Sequence, residues 1–253
     1  MATKTYIIGN WKMHLGPEAS RTYATKLGSL IAKLPADTEV VICPSSLSLY
    51  ATKLALGSDS SIALGAQNAY PMDEGAFTGE ISFAMLRGVV SYSLVGHSER
   101  RHIFKERDNL IAQKMSASLR NDITPILCVG ETKYERESGH AHQVVADQLE
   151  TGLSLLTEEE LHDIIIAYEP VWAIGTGENA SPDDAREMLE RIRKWLAGKY
   201  SSTISHTMPI LYGGSVDESN AGSYLKLTDC NGLLIGGTSL KEKSFSSIVM
   251  NKA

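Results

Sequence analysis

A chain of 253 residues can bury one large core and lies near the upper size for a single one. With 43% hydrophobic and 21% charged residues it has the make-up of an ordinary globular protein, and a net charge of −6 without a basic stripe argues against nucleic acid as the main partner. No apolar run approaches a membrane span, and the three widely spaced cysteines, Cys43, Cys128 and Cys230, form no Cys-x-x-Cys pair. They predict free thiols in a reducing compartment, the cytoplasm. Polar Thr3, Lys4 and Thr5 ahead of one short apolar run do not read as a secretory signal. A small anionic ligand stays compatible with the overall sign, because a local cluster of donors overrides net charge.

No linker or low-complexity block divides the sequence. A short apolar run followed by a helical segment recurs instead. In chain order the predicted strands are Tyr6–Ile8, Val40–Cys43, Ile62–Ala66, Tyr92–Val95, Pro125–Val129, Ile164–Tyr168, Ile210–Tyr212 and Leu233–Ile235. Their continuous apolar character predicts parallel strands buried on both faces. Between them, Pro17 and Glu18 start one helix, and Ser45 precedes another that carries Leu47, Leu49 and Tyr50. Ser181 reads as an N-cap, Pro182 as the first helical residue and Asp183 and Asp184 as first-turn acids. From there Ala185, Met188, Leu189, Ile192 and Leu196 fall at helical spacing. About eight alternating units in this length predict an α/β fold, a closed (β/α)8 barrel forming a single domain over residues 1–253. The competing architecture is an open doubly wound sheet. Near-even spacing without a second domain favours the barrel.

In such a barrel the chemistry sits at the C-terminal ends of the strands. Gly9, Asn10, Trp11 and Lys12 follow the first run, and Gly96, His97, Ser98 and Glu99 follow the fourth. The sixth ends in Glu169, the seventh in Gly213, Gly214 and Ser215, and the eighth in Gly236 and Gly237. Taken singly, each has a plain structural explanation. A lysine after a strand is usually solvated, a histidine there usually a structural hydrogen-bonder, and a Gly-Gly pair usually a tight turn. Convergence of all of them on one rim is what favours a site.

Glu169 closes an apolar run, Ile164 to Ala167, and Pro170 then stops the strand. Burial beside apolar groups is expected to raise its basicity, because desolvation disfavours a charged carboxylate. The mostly apolar Pro170–Gly177 segment reads as a closing flap. The glycine turns suit a phosphate, since the backbone can approach an anion and aim several N–H groups at it. The candidate donors are the N–H groups of Gly175, Ser215, Gly236 and Gly237.

Other chemistries fit less well. Gly175 to Ala180 satisfies Gly-x-Gly-x-x-Ala, but a dinucleotide motif should follow a strand directly and open a helix. Ser98 lies in Gly-x-Ser-x-Arg rather than the nucleophile-elbow Gly-x-Ser-x-Gly. A sugar-phosphate binding protein without catalysis would not need Lys12, His97 and Glu169 together. His140 and His142 stand two apart in a polar stretch without partners, so no metal site is expected.

The sequence resembles the triosephosphate isomerase family over essentially its whole length. The resemblance is carried by Gly9 to Met13, Ala66 to Asn68, Gly75 to Glu80, Val95 to Arg101, Cys128 to Glu131, Ala167 to Gly177, Tyr212 to Val216, and Gly236 with Gly237. It implies interconversion of dihydroxyacetone phosphate and D-glyceraldehyde 3-phosphate through an enediolate, with no cofactor and no metal. It makes Glu169 the general base, His97 the group that polarises the substrate oxygens, Lys12 the fixed positive charge and Asn10 a substrate-orienting amide. The resemblance further implies that the imidazole acts in its neutral form and that the lid excludes water. The family's motif also implies supporting roles for Glu99, expected to pair with Lys12 in the empty site, and for Thr78 and Tyr212. The long segment from Gln67 to Glu80 is implied to be a homodimer loop whose tip, near Thr78, enters the neighbouring subunit beside Asn10, Lys12 and His97.

Three places depart from the usual pattern. His14 stands where asparagine is common, Glu178 and Asn179 replace a frequent Lys-Thr, and Lys133 and Tyr134 replace a common Leu-Glu. None removes a catalytic group.

Overall fold

Apolar runs buried on both faces can satisfy their backbone only by pairing with one another, and closure into a ring leaves no edge unpaired. The computed structural model describes residues 4–174 and 180–251. Among these, the strands β1 (Thr5–Asn10), β2 (Thr38–Cys43), β3 (Ile62–Ala66), β4 (Tyr92–Val95), β5 (Thr124–Val129), β6 (Ile165–Tyr168), β7 (Ile210–Tyr212) and β8 (Gly232–Ile235) form one closed parallel barrel in sequence order. The ring closes where Ile7 and Ile8 of β1 register with Leu233 and Leu234 of β8. The open-sheet alternative is excluded.

Strand alternation divides the core in two. Ile8, Val41, Leu94, Ile126, Ile165, Ala167, Leu211 and Leu234 point into the barrel with Cys43 and Cys128. Their neighbours Ile7, Val40, Ile42, Leu127 and Ile166 point outward against the helices. Each fully buried aliphatic side chain contributes roughly 1.5–3 kcal/mol. All three cysteines are free and buried.

The helices start where the sequence signals lie. Pro17–Leu30 has its proline at the start, and Ser46–Leu56 follows Ser45. Pro182–Lys199 carries a capping box, in which the Ser181 hydroxyl accepts from the Asp184 N–H at 3.1 Å and Asp184 Oδ2 accepts from the Ser181 N–H at 2.9 Å. Its buried stripe is Ala185, Met188, Leu189, Ile192 and Leu196, as the spacing predicts. No helix among the described residues is long and apolar enough to cross a membrane.

The segment after β3 runs from Gln67 to Ser82 before the short helix Phe83–Leu86. Its stem is pinned. The buried Lys114 ammonium donates to Asn68 Oδ1 and to Glu106 Oε1, both at 2.7 Å, and Asp73 accepts from Arg120 at 3.0 Å and Asn121 at 3.1 Å. Beyond that stem every residue from Met72 to Glu80 is exposed. The loop is therefore held at its base and projects away from its own barrel.

Candidate active site

Because all strands run the same way, their C-terminal ends share one rim. A cleft of about 280 Å³ opens there, lined by Asn10, Lys12, His97, Glu169, Ser215, Gly236 and Gly237 among others. The strand-end rule thus brings these seven together. Gly175 lies outside the described residues, as do Thr176 to Asn179, so the expected lid glycines and the Glu178-Asn179 substitution are not placed. Thr78 is exposed on the projecting loop and lines no part of the cleft in its own chain.

Lys12 sits just past β1 with φ of 51°, in the left-handed region that side chains disfavour. Two bonds hold it there. Its N–H donates to Asn10 Oδ1 at 3.0 Å, and its carbonyl accepts from Gln67 Nε2 at 2.8 Å. Its ammonium donates to Glu99 Oε1 at 2.7 Å, the pairing expected for the empty site.

Glu169 follows β6 and is almost fully buried. One carboxylate oxygen accepts the Ser98 N–H at 3.1 Å, and the other lies 3.1 Å from His97 Nε2. Burial pushes its pKa up, but the His97 ring, the Ser98 N–H and the Lys12 charge outweigh burial and leave it below the ordinary value. The sequence reading expected raised basicity. That expectation is corrected: the carboxylate is indeed desolvated, yet the donors of the fourth strand's loop hold its charged form.

His97 is buried at the N-terminus of the short helix Ser98–His102. Its Nδ1 accepts the Glu99 N–H at 3.3 Å, so the ring proton belongs on Nε2, where it points at Glu169. Burial opposes charge on the ring, and the Glu169 carboxylate raises its proton affinity above the usual imidazole value. A second proton could go only onto Nδ1, which already faces an N–H. The neutral ring that meets both contacts is the tautomer that accepts at Nδ1 and donates at Nε2.

The turns after β7 and β8 form the opposite wall. Thr238 Oγ1 donates to the Val216 carbonyl at 2.7 Å and ties the two turns together. Close approach explains two glycines. A Cβ on Gly213 would lie 2.9 Å from Glu169 Cγ, and one on Gly130 would lie 1.8 Å from the Glu169 carbonyl oxygen.

Tyr212 is buried, its ring stacks on Tyr224 at 4.1 Å, and its hydroxyl has no partner among the described residues. The Tyr224 hydroxyl donates to the Ala180 carbonyl at 2.5 Å. The first turn of the expected lid, Val171–Ala173, is held by Glu131. This buried carboxylate accepts from Trp172 Nε1 at 2.7 Å and Tyr168 Oη at 3.1 Å, while Arg136 lies 4.4 Å over the Trp172 ring. Sequence reasoning missed Gln67, Glu131, Gln148 and the Ser98 N–H as parts of the site. Gln67 and Glu131 lay inside recognisable blocks and Gln148 did not.

Among the described residues no group of three or more His, Cys, Asp or Glu side chains could hold a metal ion. His142 Nε2 lies 3.2 Å from Glu187, and His140 Nδ1 lies 3.0 Å from the Ser138 hydroxyl.

Comparison with known proteins agrees with this geometry. A family profile described as Triosephosphate isomerase matches residues 5–252. The chain is 46% identical over 244 residues to a triosephosphate isomerase of Roseiflexus castenholzii, covering 96% of this chain and 95% of that protein. It is 45% identical over 244 residues to one of Moorella thermoacetica, covering 96% of each chain. It is also 45% identical over 249 residues to one of Chlamydia trachomatis, covering 98% of this chain and 89% of that one. Matched from its first strand past its last helix, the chain belongs to the triosephosphate isomerase family.

Proposed function

We propose that Glu169 is the base that carries a proton between adjacent carbons in the reaction of this family, with His97, Lys12 and Asn10 stabilising the enediolate between them. The chain is an intramolecular aldose–ketose isomerase that interconverts dihydroxyacetone phosphate and D-glyceraldehyde 3-phosphate, a step of glycolysis. The observation that carries the mechanistic reading is the 3.1 Å approach of the Glu169 carboxylate to His97 Nε2, inside a cleft that also holds Lys12 and the glycine turns.

The chemistry follows from that set. A carboxylate abstracts the proton beside the carbonyl, and a positioned base contributes roughly 10²–10⁴-fold. The oxygen that then gains charge meets the Nε2–H of a neutral His97 and the Lys12 ammonium, donors already oriented before reaction. A neutral imidazole can pass its proton between two oxygens of similar basicity. Asn10 orients the substrate, while Ser215, Gly236, Gly237 and Gly175 offer donors to the phosphate. The net change is a proton shift within one molecule, so no step calls for a cofactor, and Pro170 to Gly177 serve as the cover that keeps water out. To reach the substrate carbon, Glu169 must leave the Ser98 N–H. The Tyr212 hydroxyl, which has no partner among the described residues, supports its role as a reserve hydrogen-bonder beside that cover. A coupled assay in both directions tests the reading. Turnover should be inhibited competitively by a phosphate-bearing mimic of the enediolate, and absence of turnover with either triose phosphate would refute it.

The assembly we infer is a homodimer built through the 67–80 loop. Met13, adjacent to Lys12, is 94% exposed, and Met72, Phe77 and Met85 are exposed around the projecting loop. Such a patch favours burial by a partner. Thr78 would then enter the partner's rim near Asn10, Lys12 and His97. Dilution to the monomer, followed by sedimentation, should reduce turnover per chain; a monomer of full activity is the contrary result. Three buried free thiols support a reducing setting, and the cytoplasm is the compartment we assign.

A further inference from the structure

We propose that Gln148 is a positioning residue for Glu169, acting through the Gly130 peptide; the proposal rests on Glu169 being the base. Gln148 lies on the helix Ala141–Gly152, outside the barrel and buried. Its Oε1 accepts the Gly130 N–H at 2.8 Å, and its Nε2 donates to the Gly130 carbonyl at 3.2 Å. One side-chain amide thus grips both polar groups of one residue.

That residue is where the β5–β6 ladder ends. The last registered pair is Val129 with Tyr168, and the Glu169 N–H still donates to the Val129 carbonyl at 2.7 Å. The next bond of the pattern runs from the Val171 N–H to the Glu131 carbonyl, and the N–H and carbonyl of the intervening Gly130 are held by Gln148. The contact with the base is direct. Gly130 lies so close to the Glu169 backbone that an added Cβ would meet its carbonyl oxygen at 1.8 Å and its carbonyl carbon at 2.6 Å. A rotation of the Gly130 peptide therefore moves Glu169.

The following residue extends the effect. The Glu131 carbonyl accepts the Val171 N–H at 3.0 Å, and its carboxylate holds Tyr168 and Trp172. Gly130 and Glu131 together contact residues 168, 169, 171 and 172. The side chain that fixes their orientation must offer a donor and an acceptor without charge, which a primary amide does. An ionised carboxylate would face the Gly130 carbonyl with no proton to give, and an aliphatic chain would leave both backbone groups unpaired.

The test compares Gln148→Leu and Gln148→Glu in the full chain, with kcat, KM, inhibition by inorganic phosphate and the pH profile of kcat/KM as readouts. For Gln148→Leu, kcat should fall roughly 10- to 100-fold, the scale of a displaced catalytic group. KM and the inhibition constant of inorganic phosphate should stay within about threefold, because the phosphate turns are untouched. The acid limb of kcat/KM should move to higher pH as Glu169 loses its alignment with Ser98 and His97. For Gln148→Glu the loss should shrink as pH falls, since a protonated carboxyl can again donate to the Gly130 carbonyl. A folded Gln148→Leu with kcat and acid limb both unchanged overturns the proposal, as does a loss shared equally by kcat and phosphate affinity. Should Gln148→Leu fail to fold, Gln148→Glu decides, and a loss independent of pH overturns it. Failure of the underlying assignment is read separately, from a Glu169→Gln protein that still turns over normally.

Discussion

Glu169→Gln should lower kcat by about 10²–10⁴-fold, because it removes the base and leaves everything else in the cleft. Glu169→Asp should lower it by about 10²-fold, since retracting the carboxylate by one methylene misplaces it by more than 1 Å. Inhibition by inorganic phosphate should barely change in either variant, for its donors belong to the turns after β7 and β8 and to Lys12. This contrast separates an enzyme from a protein that only binds sugar phosphates. The pH dependence has a definite sign. A base works when deprotonated, so its contribution is present above its pKa and is lost as pH falls through it. In the empty site the Glu169 pKa lies below the ordinary glutamate value, held there against burial by His97, Ser98 and Lys12. In kcat/KM, which reports free enzyme and free substrate, the limb belonging to Glu169 should therefore lie on the acid side of the ordinary glutamate range. A limb near pH 6 belongs to the second ionisation of a phosphate monoester, about 6. A Glu169→Gln protein with wild-type kcat would remove the base from this mechanism.

The barrel was legible because its physics is local. Strands buried on both faces must be apolar throughout, and β3, β4 and β7 begin and end where the apolar runs do. The misses are at strand starts and at the end of β1, which runs to Asn10 where the reading stopped at Ile8. β1, β2 and β5 begin at Thr5, Thr38 and Thr124, polar residues that pair with neighbours at the far end of the barrel. β8 begins at Gly232, whose φ of 152° sets it where a Cβ would meet the Tyr6 carbonyl oxygen. The rim residues were legible for a related reason: a polar residue just after an apolar parallel strand can only lie at the barrel mouth. What the chain order cannot carry is the partner across the mouth. His97 and Ser98 stand 72 and 71 residues before Glu169, and the ring of the first with the N–H of the second helps reverse its expected acidity. Gln148 acts through a glycine and carries no pattern of its own. Thr78 belongs to a loop that points away from its own cleft, so its reading needs a second chain.

Lys12→Met should lower kcat/KM by about 30- to 5,000-fold, corresponding to the roughly 2–5 kcal/mol lost when one member of a close charged pairing is truncated. The variant isolates charge well. Methionine keeps much of the aliphatic stem, and the unfavourable φ of 51° is borne equally by either side chain. The bonds that pin the segment use the Lys12 backbone, the Asn10 amide and the Gln67 amide, all retained. Glu99 loses its partner, but its side chain is 38% exposed and water can replace the ammonium. The ion pair itself therefore contributes little to the fold, about 0–1 kcal/mol. Urea unfolding should move by no more than that while catalysis collapses. The loss should divide between KM and kcat, because one ammonium faces both the phosphate, present throughout, and the oxyanion, present only at the transition state. Lys12→Arg should not restore the rate. A planar guanidinium spreads its charge over a fork and cannot occupy a compact ammonium's place against Gly236, where the Lys12 Cε already lies within 3.5 Å of the position a glycine Cβ would take. If Lys12→Arg recovers full activity, the site needs only a positive charge and the geometric part of this assignment is wrong. If Lys12→Met stays within about tenfold of wild type, the charge itself is dispensable.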